Sequence, residues 1–316
     1  MNDIEKEISI VIPAYNEEEN IPCLIGEISR VMKRITNNYE VIVVDDGSSD
    51  RTTDAIEKLF RGDPEHVSGI QFRSNFGKAE ALKAGFTAAR GEIIITMDAD
   101  LQDDPAEIPN FIAKIKGGYD LVSGWKQNRK DTFIKNNSSK FFNYITSKFS
   151  RVKLHDFNCG FKAYRKEVAK GLDLYGQMHR YIPVMARNQG YVIGEIPVHH
   201  RKRKFGRSKY GPIRFINGYL DLLTVMMLTK YFKRPAHFFG GIGSLALAAG
   251  IAIGLYITYL RLAYGSIQSR LPLFIAGILL IMVGFQFISL GLIGEMFVKN
   301  YGREDDSSKI KKIIKK

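Results

Sequence analysis

Two patches of the chain set carboxylates at the ends of apolar runs: Val41-Ile-Val-Val-Asp-Asp-Gly-Ser-Ser-Asp50 and Ile93-Ile-Ile-Thr-Met-Asp-Ala-Asp-Leu-Gln102. Runs of this type form buried strands, and an unpaired acid beside them is costly. Asp45, Asp46, Asp98 and Asp100 are therefore expected to face a crevice at the carboxyl ends of the strands, where a ligand or cation compensates them. Asp98 and Asp100 can reach one hard cation, with Gln102 adding a neutral oxygen, and Mg2+ or Mn2+ is the natural guest. A cation in that position bridges a diphosphate and neutralises the charge that grows on it as a leaving group. Short acidic turns are common on surfaces, so the weight lies in the context, Ile93-Ile-Ile-Thr-Met97 before the pair and Leu101-Gln-Asp-Asp-Pro105 after it.

The elements that must position these groups alternate. Strands are expected at Ile8 to Pro13, Val41 to Asp45, Ile70 to Phe72, Ile93 to Asp98 and Leu121 to Ser123. Helices are expected at Ile21 to Lys33, from a cap at Ser49 or Asp50 to Phe60, at Lys78 to Ala89, and at Pro105 to Lys116 with its proline in the first turn. Such alternation is the pattern of a doubly wound, Rossmann-like α/β domain. Phe133 to Phe149 carries Ile134, Phe141, Ile145 and Phe149 at helical spacing among lysines, a pattern of either a membrane-interface helix or a helix packed on the sheet. Ile213, Ile216, Leu220, Leu223 and Met227 form a second amphipathic helix.

The chain has 316 residues, 45% of them hydrophobic, and a formal net charge of +13. Phe238 to Leu260 and Leu271 to Gly294 contain no charged residue, and each exceeds the ~20 residues that a helix needs to cross a bilayer. They read as a transmembrane hairpin joined by the turn Arg261 to Arg270. Gly250 and Gly254 form a small-xxx-small step that either packs helix on helix or faces lipid. Basic residues crowd both ends of the hairpin, at His199-His-Arg-Lys-Arg-Lys204, Arg207 to Arg214, Lys230 to Arg234 and Lys309 to Lys316. That asymmetry predicts a catalytic domain and both termini on the cytoplasmic side of the cell (inner) membrane. It favours an anionic membrane surface or a phosphorylated lipid as partner, and not nucleic acid, for which no reader motif is interleaved. The acidic N-terminus lacks a secretory pattern. Cys23 and Cys159 are too few for a disulfide framework. The expected organisation is a catalytic domain at 1–212, an interface helix at 213–235, the hairpin at 236–298 (spans near 238–260 and 271–294) and a basic tail at 299–316.

Ile10-Val-Ile-Pro-Ala-Tyr-Asn-Glu-Glu-Glu-Asn20, Val43-Val-Asp-Asp-Gly-Ser-Ser-Asp50, Asn75-Phe-Gly-Lys78 and Met97-Asp-Ala-Asp-Leu-Gln102 resemble family-two glycosyltransferases with the A-type fold. His179-Arg-Tyr-Ile-Pro183, Gly190-Tyr191, Glu195-Ile-Pro-Val198, His200-Arg201 and Gly206-Arg-Ser-Lys-Tyr210 are similar to the polyprenyl-phosphate branch. The resemblance implies an inverting transfer of one sugar, first UDP-glucose, from a nucleotide sugar to undecaprenyl phosphate. GDP-mannose and UDP-N-acetylglucosamine would use the same parts. It implies that Pro13, Tyr15, Glu17 and Asp45 hold base and ribose, with Asp46, Lys78 and Asp98 close to the donor. Asp98, Asp100 and Gln102 become the metal-site residues, with Asp98 and Asp100 counted in the catalytic centre beside Asp156. Lys126, Arg129, Ser139, Lys140, Arg201 and Lys209 become the acceptor-phosphate set, a lysine standing at 126 where an arginine is frequent in the family. A phosphomonoester is already largely dianionic at pH 7, so Asp156 is expected to position the acceptor at least as much as to take a proton. A processive polysaccharide synthase would show a Q-x-x-R-W motif and more spans. A catalytically idle membrane scaffold is the rival from another class. Oligomeric state is left open, a homo-oligomer included.

Overall fold

The computed structural model describes residues 6–127, 146–147, 152–176, 178–201, 235–267 and 269–301. They fall into two compact units, one holding the described residues up to Arg201 and the other those from Pro235. The expected amphipathic helices at 133–149 and 213–227 lie outside the described residues, save helical Thr146 and Ser147.

The first unit is a seven-stranded sheet flanked by helices. In chain order its elements are β1 (Ile8–Ala14), α1 (Asn20–Met32), β2 (Tyr39–Asp45), α2 (Thr52–Gly62), β3 (Val67–Gln71), α3 (Lys78–Ala88), β4 (Ile93–Thr96), α4 (Ile108–Lys116), β5 (Leu121–Lys126), β6 (Lys162–Arg165), α5 (Lys166–Lys170), α6 (Ile182–Asn188) and β7 (Ile193–Val198). Strand order is β3-β2-β1-β4-β6-β5-β7. The expected strands and helices are present within a few residues. β6 and β7 were not anticipated. β6 runs antiparallel between β4 and β5, so the fourth and fifth expected strands are not neighbours. Pro105–Glu107 is a 3-10 turn ahead of α4, with Asp104 capping it through Ala106 N–H at 2.9 Å.

β1 and β2 are buried along nearly their whole length, which explains their continuous apolar character. α1 presses Ile21, Leu24, Ile25, Ile28 and Met32 into the core, a stripe at three- and four-residue spacing. Each such side chain contributes about 1.5–3 kcal/mol when fully buried. α3 lies close on the sheet because Gly85 faces Val11; a Cβ there would overlap Val11 Cγ1. The register sets Ala14 beside Asp45 and Val11 beside Thr96, so the loops after β1, β2 and β4 open at one edge.

The second unit is an antiparallel pair of long helices, α7 (Pro235–Tyr264) and α8 (Leu271–Tyr301). Both are long and apolar enough to cross a membrane, and only 11% of each most apolar window is buried, which is unlike a soluble core helix. α7 continues past the expected end at Leu260, so Arg261 lies in helix and not in the turn. Gly250 packs as one half of the expected step: a Cβ there would come 2.8 Å from Gly277 O. Gly254 has nothing within 4 Å. The seam pairs Gly243 with Gly284 and Gly250 with Gly277, while Gly291 of α8 lies against Ala236, Phe239 and Gly240 of α7. Glu295 accepts from Ala236 N–H at 3.2 Å, satisfying a donor at the start of α7.

Candidate active site

The loop after β2 is built around carboxylates that hold backbone. Asp45 is fully buried; one oxygen accepts from Ser48 N–H (2.9 Å) and Ser48 Oγ (2.5 Å), the other from Thr53 Oγ1. Asp46 is also buried and accepts from Phe76 N–H (2.7 Å) and Gly77 N–H (2.9 Å), tying the approach to α3. Burial outweighs those bonds and, with Asp45 beside it, raises the Asp46 pKa. Gly47 has φ of +69°, and a Cβ would fall 2.7 Å from Ser74 Cα, so the turn requires glycine twice over. Asp45 and Asp46 stand at the carboxyl end of β2 as expected, and both are buried, Asp45 held by Ser48 and Thr53 beyond β2 and Asp46 by the amides ahead of α3.

The loop after β1 is laced to this turn. Asn16, at φ of +54°, receives Ser49 N–H on its side-chain oxygen at 2.8 Å and donates its own N–H to Ser48 Oγ at 2.9 Å. Glu17 donates its N–H to Thr52 Oγ1 at 2.8 Å, and its carboxylate accepts from Asn20 at 2.5 Å. Pro13 pairs with Val44 within the sheet, and Tyr15 is half-buried at the strand end.

At the end of β4, Asp98 is about one-third exposed and pairs with Lys78 at the start of α3. Burial would raise the Asp98 pKa, but Lys78 and then Lys126 hold it well below the carboxylate range, and Lys78 is correspondingly raised. Gly160 makes room for this carboxylate; a Cβ would fall 2.5 Å from Asp98 Cγ. Asp100 accepts from Gln102 N–H at 3.2 Å. Between them the chain turns through Leu101 at φ of +60°, a left-handed conformation that a branched residue adopts only under constraint. The constraint is visible. Leu101 is buried, Asp103 accepts from Asp98 N–H at 3.3 Å, and Gln102 O accepts from Arg201 N–H at 2.8 Å.

Asp98, Asp100 and Gln102 suit a cation of the Mg2+ or Mn2+ type, which takes one or two protein carboxylates and completes its shell with water and substrate phosphate. No cluster of three His, Cys, Asp or Glu side chains stands ready among the described residues, and two carboxylates with a substrate phosphate need none. Lys78 holds the place of a positive partner on Asp98.

Beneath Asp98 lies a buried charged layer in which the expected Lys126 is joined by Asp103 and Lys162, two residues with no role in the sequence motifs. Lys126 is 8% exposed and pairs with Asp103 at 3.1 Å; burial opposes its charge, yet Asp103 raises it far above the lysine range. Lys162 on β6 donates to Cys159 O and to Phe157 O (3.4 Å); burial, helped by Lys78, pulls it below the lysine range against Asp156 and Asp98. The Cys159 thiol is pushed up to about 12 by burial, so it is inert. His179 is pulled down to about 3 by burial and by Lys78, and its Nδ1 has no hydrogen-bond partner among the described residues. The sequence signal for Lys162 was a lysine inside Phe161-Lys-Ala-Tyr164, a run otherwise suited to a core strand.

Asp156 is buried close to this layer. Its carboxylate accepts from Asn158 N–H at 3.0 Å. Lys126 is committed to Asp103, and Arg201 is held by Glu27 (2.5 Å) and Asp104 (2.6 Å), so both expected phosphate ligands are already ion-paired. Arg129, Ser139, Lys140 and Lys209 lie outside the described residues.

Two relatives match this chain over nearly its whole length. It is 37% identical over 307 residues to a dodecaprenyl-phosphate galacturonate synthase of Rhizobium johnstonii, covering 95% of this chain and 90% of that protein. It is 38% identical over 297 residues to an undecaprenyl-phosphate 4-deoxy-4-formamido-L-arabinose transferase of Shewanella sediminis, covering 93% and 88%. The fold matches glucosyl-3-phosphoglycerate synthase from Mycobacterium tuberculosis, crystallised with Mn2+, UDP and phosphoglyceric acid, at a TM-score of 0.56 and 18% identity over 71% of this chain and 78% of that one. The stretch from β1 to α5, which carries the loops of Asp45, Asp98 and Asp156, matches the model of glycosyl transferase family 2 over residues 9–172, and the chain belongs to that family.

Proposed function

We propose that the protein transfers one sugar from a nucleotide-activated donor to a polyprenyl phosphate at a membrane surface, with inversion at the anomeric carbon. The observation that carries this reading is the near full-length similarity to two relatives named for dodecaprenyl and undecaprenyl phosphate, in a chain with two bilayer-length helices. Those names specify galacturonate and 4-deoxy-4-formamido-L-arabinose, not glucose. The donor class is therefore widened from UDP-glucose to uronic-acid and formamido-pentose nucleotides, beside GDP-mannose and UDP-N-acetylglucosamine.

In this reading the acceptor phosphate oxygen forms its bond to the anomeric carbon as the bond from that carbon to the donor diphosphate breaks, the electron pair leaving with the diphosphate. Loops after β1 and β2 bind the nucleotide, with Tyr15 offering a ring face to the base. Asp98, Asp100 and Gln102 would hold a divalent cation, which when bound supplies charge neutralisation on the leaving diphosphate; the M. tuberculosis enzyme of like fold was crystallised with Mn2+ or with Mg2+. Lys78 lends a cationic head beside Asp98. Asp156 orients the acceptor, which needs little deprotonation at pH 7. For Arg201 to meet an acceptor phosphate it must leave Glu27 or Asp104. Residues 1–212 form the catalytic domain, 213–235 an interface helix, 236–298 the membrane hairpin and 299–316 a tail, with the domain and both termini cytoplasmic.

The test is incorporation of label from a panel of UDP- and GDP-sugars into butanol-extractable polyprenyl phosphate by purified protein, with and without EDTA. Product from one donor that EDTA suppresses is expected, and Asp100→Asn should abolish it while leaving membrane insertion intact. Undiminished turnover of Asp100→Asn would remove the metal role. A folded protein that labels lipid from no donor would favour the scaffold reading.

A further inference from the structure

We infer that Glu195 is the positioning residue for Asp156, an inference that rests on the reading above for Asp156's role in transfer. Glu195 lies on β7, opposite Ser123 of β5, and its side chain is 13% exposed. One of its oxygens accepts from His155 N–H at 2.9 Å and from Asp156 N–H at 3.2 Å; the other meets His155 Nδ1 at 2.7 Å. A single carboxylate from a strand some forty residues away thus takes both backbone donors of the peptide that carries Asp156. Ser123, on the paired strand, holds the other side of that residue by donating to Asp156 O at 3.4 Å. The His155 ring, fixed by Glu195, stacks on Trp125 with centroids 4.0 Å apart and planes at 16°.

Asp156 is buried, so its amide needs an internal acceptor, and Glu195 supplies one as a carboxylate, whose charge-assisted bonds to backbone N–H hold geometry more firmly than neutral ones. Asp156 lies in the connection between β5 and β6, outside the sheet, so its aim depends on what Glu195 and Ser123 hold. An error of about 1 Å in an acceptor-orienting group costs on the order of a hundredfold in rate.

Trp125 is the only tryptophan in the chain, so its emission reports the position of His155 with no substrate present. In detergent-solubilised full-length protein, Glu195→Ala is expected to change Trp125 emission and to lower kcat on the order of a hundredfold, with the donor KM little changed. Glu195→Gln retains an amide oxygen for the two N–H groups and should recover most of the rate. In an Asp156→Ala background, Glu195→Ala should cost nothing further, because both changes disable one unit. Unchanged Trp125 emission in Glu195→Ala would overturn the inference, as would losses that multiply independently in the double variant. If the parent protein transfers no sugar, the function proposed above fails, and the emission of the Ala and Gln variants alone decides whether Glu195 fixes the Asp156 peptide.

Discussion

Asp45 and Asp98 flank β1 at the carboxyl edge of the sheet, yet they meet their surroundings differently. Asp45 has both oxygens taken by Ser48 and Thr53, whereas Asp98 keeps a solvent-facing side and a lysine partner. Availability to a ligand thus depends on which hydrogen-bond donors the next few residues offer. The same logic applies to Lys126. A surface phosphate ligand could be removed with little effect on stability, but a lysine paired with Asp103 in the interior leaves an uncompensated carboxylate behind. Lys126→Met is therefore expected to destabilise the protein by about 3–5 kcal/mol, read as a lowered midpoint in thermal unfolding in detergent. A variant of native stability that binds lipid phosphate weakly would instead assign Lys126 to the acceptor.

At the scale of elements, the amino end of the sheet is locked by Glu40. It accepts from Ser9 Oγ at 2.6 Å, from Arg90 N–H at 2.8 Å and from the Arg90 guanidinium at 2.7 and 3.0 Å, joining β1, β2 and the chain entering β4. Burial alone would raise the Glu40 pKa, but the bonds from Ser9 and Arg90 prevail and lower it. A carboxyl depressed in the folded state adds stability that is complete above its ordinary value of 4.5 and is lost as pH falls through the lower folded value. The midpoint difference between the protein and Glu40→Gln should accordingly be constant from neutrality to about pH 5 and shrink on further acidification. A difference that stays constant down to pH 3 would show that the charge on Glu40 is not what holds these strands.

For the whole molecule, the two units differ in surface: the sheet domain gathers the charged groups at its strand ends, and the hairpin exposes apolar side chains along most of its length. Inside the hairpin the contact is made by glycines, as expected where no hydrophobic drive operates between helices and close backbone approach supplies the attraction. At the turn, Arg270 meets the Tyr256 hydroxyl and lies 5.3 Å from its ring centroid, an arrangement suited to a headgroup region. The proposed orientation predicts that a cysteine placed at Ser266 is labelled by an impermeant maleimide in intact cells. Exposed Cys23 should react only after permeabilisation. The reverse pattern would invert the topology and remove a cytoplasmic donor from reach.

The strands, the helices between them, the acidic strand ends and the two long apolar spans were legible in the sequence because each is a local property. Period, run length and the charge at a run's end involve residues within a few turns of one another. The tertiary structure alone decided which carboxylates have free oxygens, where β6 inserts, and which glycines form the helix seam. It also set Lys126 on Asp103 and Glu195 on the Asp156 peptide. Apart from Asp45, whose donors Ser48 and Thr53 are near neighbours, these depend on partners from about twenty to well over one hundred residues apart, as Arg201 on Glu27 illustrates. A buried charge takes the partner that topology brings within reach, and no periodicity along the chain records that choice.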